Sequence, residues 1–229
     1  APDIERILRG LQAVHLLALE DSQVTFEPAG GPVATLSYVA LALRSSADDW
    51  RLDGRTVLPD GQTLSLALRA RGKASAWREA EADLYLSLPQ SDWAAWLPKR
   101  SVGDWQLQAL QAGGELWARW ERGGLARAAA RLNAAHLVAG YQARASVVLD
   151  DLAADLYVDR QADGDYRLQA ERLSFDLGEQ RLAETRLVVQ RGAASGDWAL
   201  RIDRLQVAPL AALAQALAPL PEAGLESLN

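Results

Sequence analysis

The sequence contains no cysteine and no methionine, and it has only 2 histidines among 229 residues. Without cysteine there is no disulfide framework, no thiolate zinc site and no cysteine nucleophile. The missing methionine, the Ala1-Pro2 opening and the linker-like close Pro219-Leu220-Pro221-Glu222-Ala223-Gly224 lead us to expect a segment of a longer protein. No apolar run reaches the ~18–20 residues of a transmembrane helix, and no signal-peptide pattern is present. Any membrane contact is therefore expected through parts outside this segment. Basic residues are scattered rather than blocked and the net charge is −6, so no nucleic-acid partner is expected.

Catalytic motifs are equally scarce. His15 sits in an apolar stretch and His136 between Ala135 and Leu137, neither at metal-ligand spacing from a second His or a carboxylate, so both read as structural. There is no Gly-x-Ser-x-Gly elbow and no phosphate-binding glycine loop. Asp48–Asp49 and Asp150–Asp151 could suggest acid/base or calcium chemistry. Adjacent strand residues point to opposite faces, however, so these pairs read as turn residues. We expect no enzyme, no metal and no cofactor.

What the sequence does contain is alternation. Leu64, Leu66 and Leu68, then Ala82, Leu84, Leu86 and Leu88, then Leu173, Phe175 and Leu177 each alternate with polar or small neighbours. That period places apolar groups on one face of a strand. Weaker runs near 22–27, 33–45, 49–58, 104–111, 114–122, 141–150, 152–160, 180–191 and 197–207 follow the same rule. Between them lie turn signals such as Pro59-Asp60-Gly61, Gly113-Gly114, Gly123-Gly124 and Ala162-Asp163-Gly164. Leu125–Val138 is Ala-rich yet flanked by glycines, and we read it as strand. Short connections favour an antiparallel meander.

Three helical stretches are expected: an amphipathic helix over Asp3–Leu19, a short helix near 91–97 capped by Ser91, and one over 210–217. The predicted fold is thus mainly β, a long antiparallel meander over 1–229 with a sub-boundary allowed near 98–104, either closed on itself as a sandwich or left as an open, twisted, groove-like sheet. Asp49-Trp50-Arg51-Leu52, Asp104-Trp105-Gln106-Leu107, Asp165-Tyr166-Arg167-Leu168 and Asp197-Trp198-Ala199-Leu200 form a degenerate repeat, each opening a strand.

Tryptophan is over-used, at 8 against 2 Phe. Trp93, Trp96, Trp105, Trp117 and Trp120 could form a core cluster beneath the short helix. Alternatively, they could form an amphipathic rim around an apolar ligand.

The segment Leu88-Pro89-Gln90-Ser91-Asp92-Trp93-Ala94-Ala95-Trp96-Leu97-Pro98, followed by Gly114-Glu115-Leu116-Trp117-Ala118-Arg119-Trp120, resembles the periplasmic part of YhdP-like proteins. The stretch from Leu19 to Phe26 resembles an opening pattern of the wider AsmA-like family. The resemblance implies a periplasmic segment of a bridge-like lipid-transfer protein anchored in the inner membrane. Phospholipid acyl chains would lie in an apolar β-groove between inner and outer membranes, and the remainder of the parent protein would be a partner. The residues placed on the lipid-facing surface are Leu64, Leu66, Leu68, Leu84, Leu86, Leu88, Leu173, Phe175, Leu177, Trp93 and Trp96. For each, a dry core is the competing reading, and a closed β-sandwich scaffold without lipid is the alternative function.

Overall fold

The computed structural model describes residues 15–26, 33–46, 48–73, 79–95, 101–102, 105–141, 146–161, 164–191 and 198–217. They form one antiparallel sheet. In chain order its strands are β1 (Leu16–Phe26), β2 (Ala34–Ser46), β3 (Asp49–Val57), β4 (Thr63–Arg71), β5 (Glu81–Asp92), β6 (Ser101–Val102), β7 (Trp105–Glu121), β8 (Gly124–Tyr141), β9 (Val147–Arg160), β10 (Tyr166–Leu177), β11 (Gln180–Arg191) and β12 (Trp198–Ile202). Each strand pairs with its sequence neighbour, except that β5 pairs with β7 and the two-residue β6 adds to β7 beyond it. β1 and β12 are unjoined edges, so the sheet is open, neither barrel nor sandwich among the described residues.

Local chemistry sets the hairpins. Between β7 and β8, Arg122 and Gly123 both have positive φ (51° and 74°). This is the two-residue turn whose twist matches that of paired strands. At the β3–β4 corner the Leu58 carbonyl accepts from Gly61 N–H at 2.8 Å, and Gly61 has φ +84°. Gly113-Gly114, by contrast, makes no turn and lies inside the continuous β7. A Cβ at Gly113 would sit 2.8 Å from the Gln90 backbone nitrogen, and one at Gly114 would run into the Arg131 carbonyl. These glycines let neighbouring backbones approach closely.

Other expectations need correction. Leu16–Leu19 belongs to β1, not to a helix, and pairs with β2; residues 3–14 of the expected helix lie outside the described residues. The short helix near 91–97 is a 3-10 turn, Trp93–Ala95, and its cap is Asp92, whose Oδ1 accepts the Ala94 N–H at 3.1 Å. Ser91 instead lies inside β5, next to its last residue, is buried, and donates its hydroxyl to the Asp60 carboxylate. Asp150 and Asp151 are not in a turn but within β9, where Asp151 takes φ 50°. Left-handed residues also occur at Asp21, Tyr38 and Arg172, near breaks in the ladder at β1–β2, β2–β3, β9–β10 and β10–β11. Bulges of this kind sharpen local twist. Leu125–Val138 is strand, as the flanking glycines indicated.

The helix α1 (Val207–Leu217) covers only one corner of the sheet. Leu210 and Leu213 pack on a cluster of Val147, Leu149, Phe175 and Leu182, with Leu173 and Leu177 alongside. Gln206, just before α1, fastens it. Its Oε1 accepts the Ala183 N–H at 3.1 Å and its Nε2 donates to the Ala183 carbonyl at 3.2 Å.

Candidate functional site

Cross-strand register, rather than any single strand, defines the site. Directly paired residues share a face, so the pairing can be followed from edge to edge. One row runs from Leu19 on β1 through Leu41, Gly54, Leu66, Leu86, Leu116, Ala130, Leu156, Ala170 and Leu187 to Ile202 on β12. The next row on that face runs from Leu17 through Leu43, Leu52, Leu68, Leu84, Ala118, Ala128, Val158, Leu168 and Val189 to Leu200. Neither row contains a polar side chain. At about 4.8 Å per strand, ten inter-strand steps give an apolar band about 48 Å long.

This band is not a finished core. Leu17 and Leu19 are 39% exposed, Leu168 39% and Leu200 63%; of the two rows, only Leu43 and Ala170 are buried. Helix α1 packs mainly against β11 and β10, with Leu210 and Leu213 on the cluster that also holds Val147 and Leu149 of β9. One end of the band carries Trp50, Trp120 and Tyr166, on the same face as Leu52, Ala118 and Leu168. In two copies of the Asp-aromatic-x-Leu repeat the pattern acquires a physical meaning: Trp50 with Leu52, and Tyr166 with Leu168, share the apolar face, and Asp49 projects to the other.

The opposite face is charged. Asp83 is flanked by Arg69 and Arg119, and Asp155 is bracketed by Arg131 and Arg172 at 3.6 and 3.3 Å. The Tyr85 hydroxyl donates to Glu115 Oε1 at 2.9 Å, which pushes the phenol pKa up. Arg119 hydrogen-bonds Glu121 and holds its carboxyl below the usual range. The Tyr85 and Trp117 rings lie 5.5 Å apart on this face.

Sequence-predicted residues divide into three groups. Leu64, Leu66 and Leu68 meet Leu84, Leu86 and Leu88 on the apolar face, with Leu66 paired to Leu86 and Leu68 to Leu84. Phe175 is 2% exposed in the cluster under α1, and Leu173 and Leu177, partly buried, pack against that cluster. Trp93 donates its indole N–H to the Ala112 carbonyl at 2.6 Å, and Trp96 lies outside the described residues. Trp117 and Trp120 fall on opposite faces, so the tryptophans are not one cluster beneath the short turn. His136 pairs with Asp150 (Nδ1 to Oδ1, 2.6 Å). Among the described residues no group of three His, Cys, Asp or Glu could hold a metal. Sequence reasoning missed Leu41, Leu43, Leu52, Leu116 and Leu156, because their own strands alternate weakly and only pairing reveals them.

A single open meander with a continuous apolar face invites comparison with known families, and the profile of the YhdP protein family matches residues 3–229. The chain belongs to the YhdP family. No curated protein and no solved structure matches it. A YhdP-family chain is thus seen here as an open sheet with one apolar and one charged side. No helix among its described residues is long and apolar enough to cross a membrane.

Proposed function

We propose that this chain is a lipid-conducting segment of a periplasmic, envelope-spanning lipid-transfer protein, its apolar face carrying phospholipid acyl chains between inner and outer membranes. One observation supports this reading most: two uninterrupted apolar rows cross eleven strands and, Leu43 and Ala170 apart, none of their members is fully buried. A sheet with such a face must cover it with protein or with an apolar ligand. Each methylene of an acyl chain gains about 0.8 kcal/mol on leaving water, so a bare band holds lipid without a headgroup pocket. Small residues at Gly54, Ala118, Ala128 and Ala130 leave shallow space between the leucines. In this reading Leu64, Leu66, Leu68, Leu84, Leu86 and Leu88 touch lipid, whereas Leu173, Phe175 and Leu177 anchor the corner beneath α1. The charged face keeps the other side wetted, and the remainder of the parent protein and the membranes are contacted outside this segment.

Native mass spectrometry of the purified chain, with organic extraction, tests the proposal. Bound phospholipid that disappears in Leu66→Asp and Leu86→Asp, with folding retained, supports it. Lipid-free protein that takes up none from added phospholipid would favour a scaffold without cargo.

A further inference from the structure

The charged face carries an arrangement that the lipid reading does not use. One transverse row of direct cross-strand partners reads Arg44, Arg51, Arg69, Asp83, Arg119, Arg127, Asp159, Arg167. Six arginines against two aspartates stand in a single row of a chain whose net charge is −6. Like charges directly opposite across strands are destabilising, and here Arg44 faces Arg51, Arg51 faces Arg69, and Arg119 faces Arg127. Neighbouring carboxylates relieve only part of this. Arg51 is held by Asp53 at 2.7 Å and Arg119 by Asp83 at 3.2 Å and by Glu121. Arg44, Arg69 and Arg127 are exposed and make no hydrogen bond or ion pair among the described residues.

The surface along this row is hollowed. A depression of about 680 Å³ has Tyr85, Trp117 and Tyr157 beside Arg69, Arg119 and Arg127. A second, of about 470 Å³, continues past Arg69 to Arg44, Arg51 and Arg71, with Asp49 and Glu81 also on its wall. Arg69, Asp83 and Arg119 line both, so the two form one trough across the strands. The adjacent row explains the hollow: Ala67 lies between Asp53 and Tyr85, and Ala129 between Trp117 and Tyr157. From Arg44 to Arg167, seven inter-strand steps span about 34 Å.

We propose that this trough is a binding site for an extended saccharide bearing carboxylates. Exposed indole and phenol rings present flat apolar surfaces, with a polar edge, on which sugar rings can rest. Guanidinium groups match carboxylates with paired N–H donors. Asp83 and Asp159 accept from hydroxyls, which an oligosaccharide presents on every ring and a deoxynucleotide backbone does not, so the saccharide is the better occupant. The site lies on the face opposite the apolar band, so its failure and that of the lipid reading are separately observable.

The test is isothermal titration of the full chain with oligogalacturonate, with neutral cello-oligosaccharide and with oligo-dT. The double variant Arg69→Ala/Arg127→Ala serves as the comparison, because it removes two exposed cations that make no hydrogen bond or ion pair among the described residues, although Arg127 acts electrostatically on Glu121. Trp117→Phe keeps a ring while changing its size. The expected result is oligogalacturonate binding that weakens with salt and is about tenfold weaker in the arginine variant. Trp117→Phe should also weaken it, and the neutral saccharide should bind less well than the charged one. Absence of binding up to millimolar oligogalacturonate, binding indifferent to these substitutions, or tighter binding of oligo-dT would overturn the assignment.

Discussion

A pair of identical substitutions distinguishes an open apolar face from a covered one. Leu182 is 0% exposed in the cluster beneath α1, while Leu168 is 39% exposed on the apolar band. Leu182→Ala removes buried carbons and leaves a void, so it should cost about 3–5 kcal/mol. At Leu168 there is no enclosed cavity, and the transfer term is reduced by the surface already in water. Taking ~0.8 kcal/mol per methylene, complete removal would be worth about 2.4 kcal/mol, and the buried fraction brings it to about 1.5 kcal/mol. Urea unfolding followed by far-ultraviolet circular dichroism at two protein concentrations reads both values. The expected gap is about 1.5–3.5 kcal/mol, independent of concentration. Equal losses at the two positions would refute the reasoning, since a leucine in contact with water cannot lose that much unless another layer or a second copy covers it.

Other outcomes follow from particular contacts. Gly114→Ala should cost more than Gly61→Ala, because its Cβ collides with the Arg131 carbonyl whereas Gly61 has open space and only its φ of +84° to resist a side chain; thermal melts of both variants compare them. The Glu121 carboxyl should titrate below an ordinary glutamate because Arg119 hydrogen-bonds it. The stabilisation from that pair is present above the unfolded-state pKa and fades as pH falls through the lowered folded value. Carbon-detected NMR titration reads the pKa directly, and Arg119→Ala should return it to the usual range.

Much of the architecture was legible from period-two alternation, which survives wherever one face is apolar and the other wet. The strands through Leu64–Leu68 and Leu84–Leu88 were visible for that reason. The opening stretch misled because Leu16, Leu17 and Leu19 satisfy helical spacing as well as strand spacing. Only pairing with Arg44, Leu43 and Leu41 decides between them. Gly113-Gly114 and Gly123-Gly124 are the same dipeptide, yet one lies mid-strand and the other at a turn. The difference resides in the Gln90 and Arg131 backbones, which approach from neighbouring strands. Phe175 alternates as cleanly as Leu66 but lies under α1, a fact carried by residues far along the chain. The full apolar band was not legible, because Gly54, Ala118 and Ala130 look unremarkable until register sets them beside leucines. The arginine row was hidden likewise: its six members are dispersed in sequence and assembled only by pairing.

The central claim is that lipid lies on the Leu66–Leu86 side of the sheet and not on the other. Photo-crosslinking tests it most directly, with a benzophenone amino acid placed singly at Leu66, Leu86, Ser65 or Ser87 in the protein in cells. Ser65 and Ser87 are direct partners, each one residue from a leucine and on the opposite face. After irradiation, phospholipid adducts identified by mass spectrometry should appear at positions 66 and 86 and be absent at 65 and 87. Adducts at all four positions, or at none while the protein remains folded, would contradict the account.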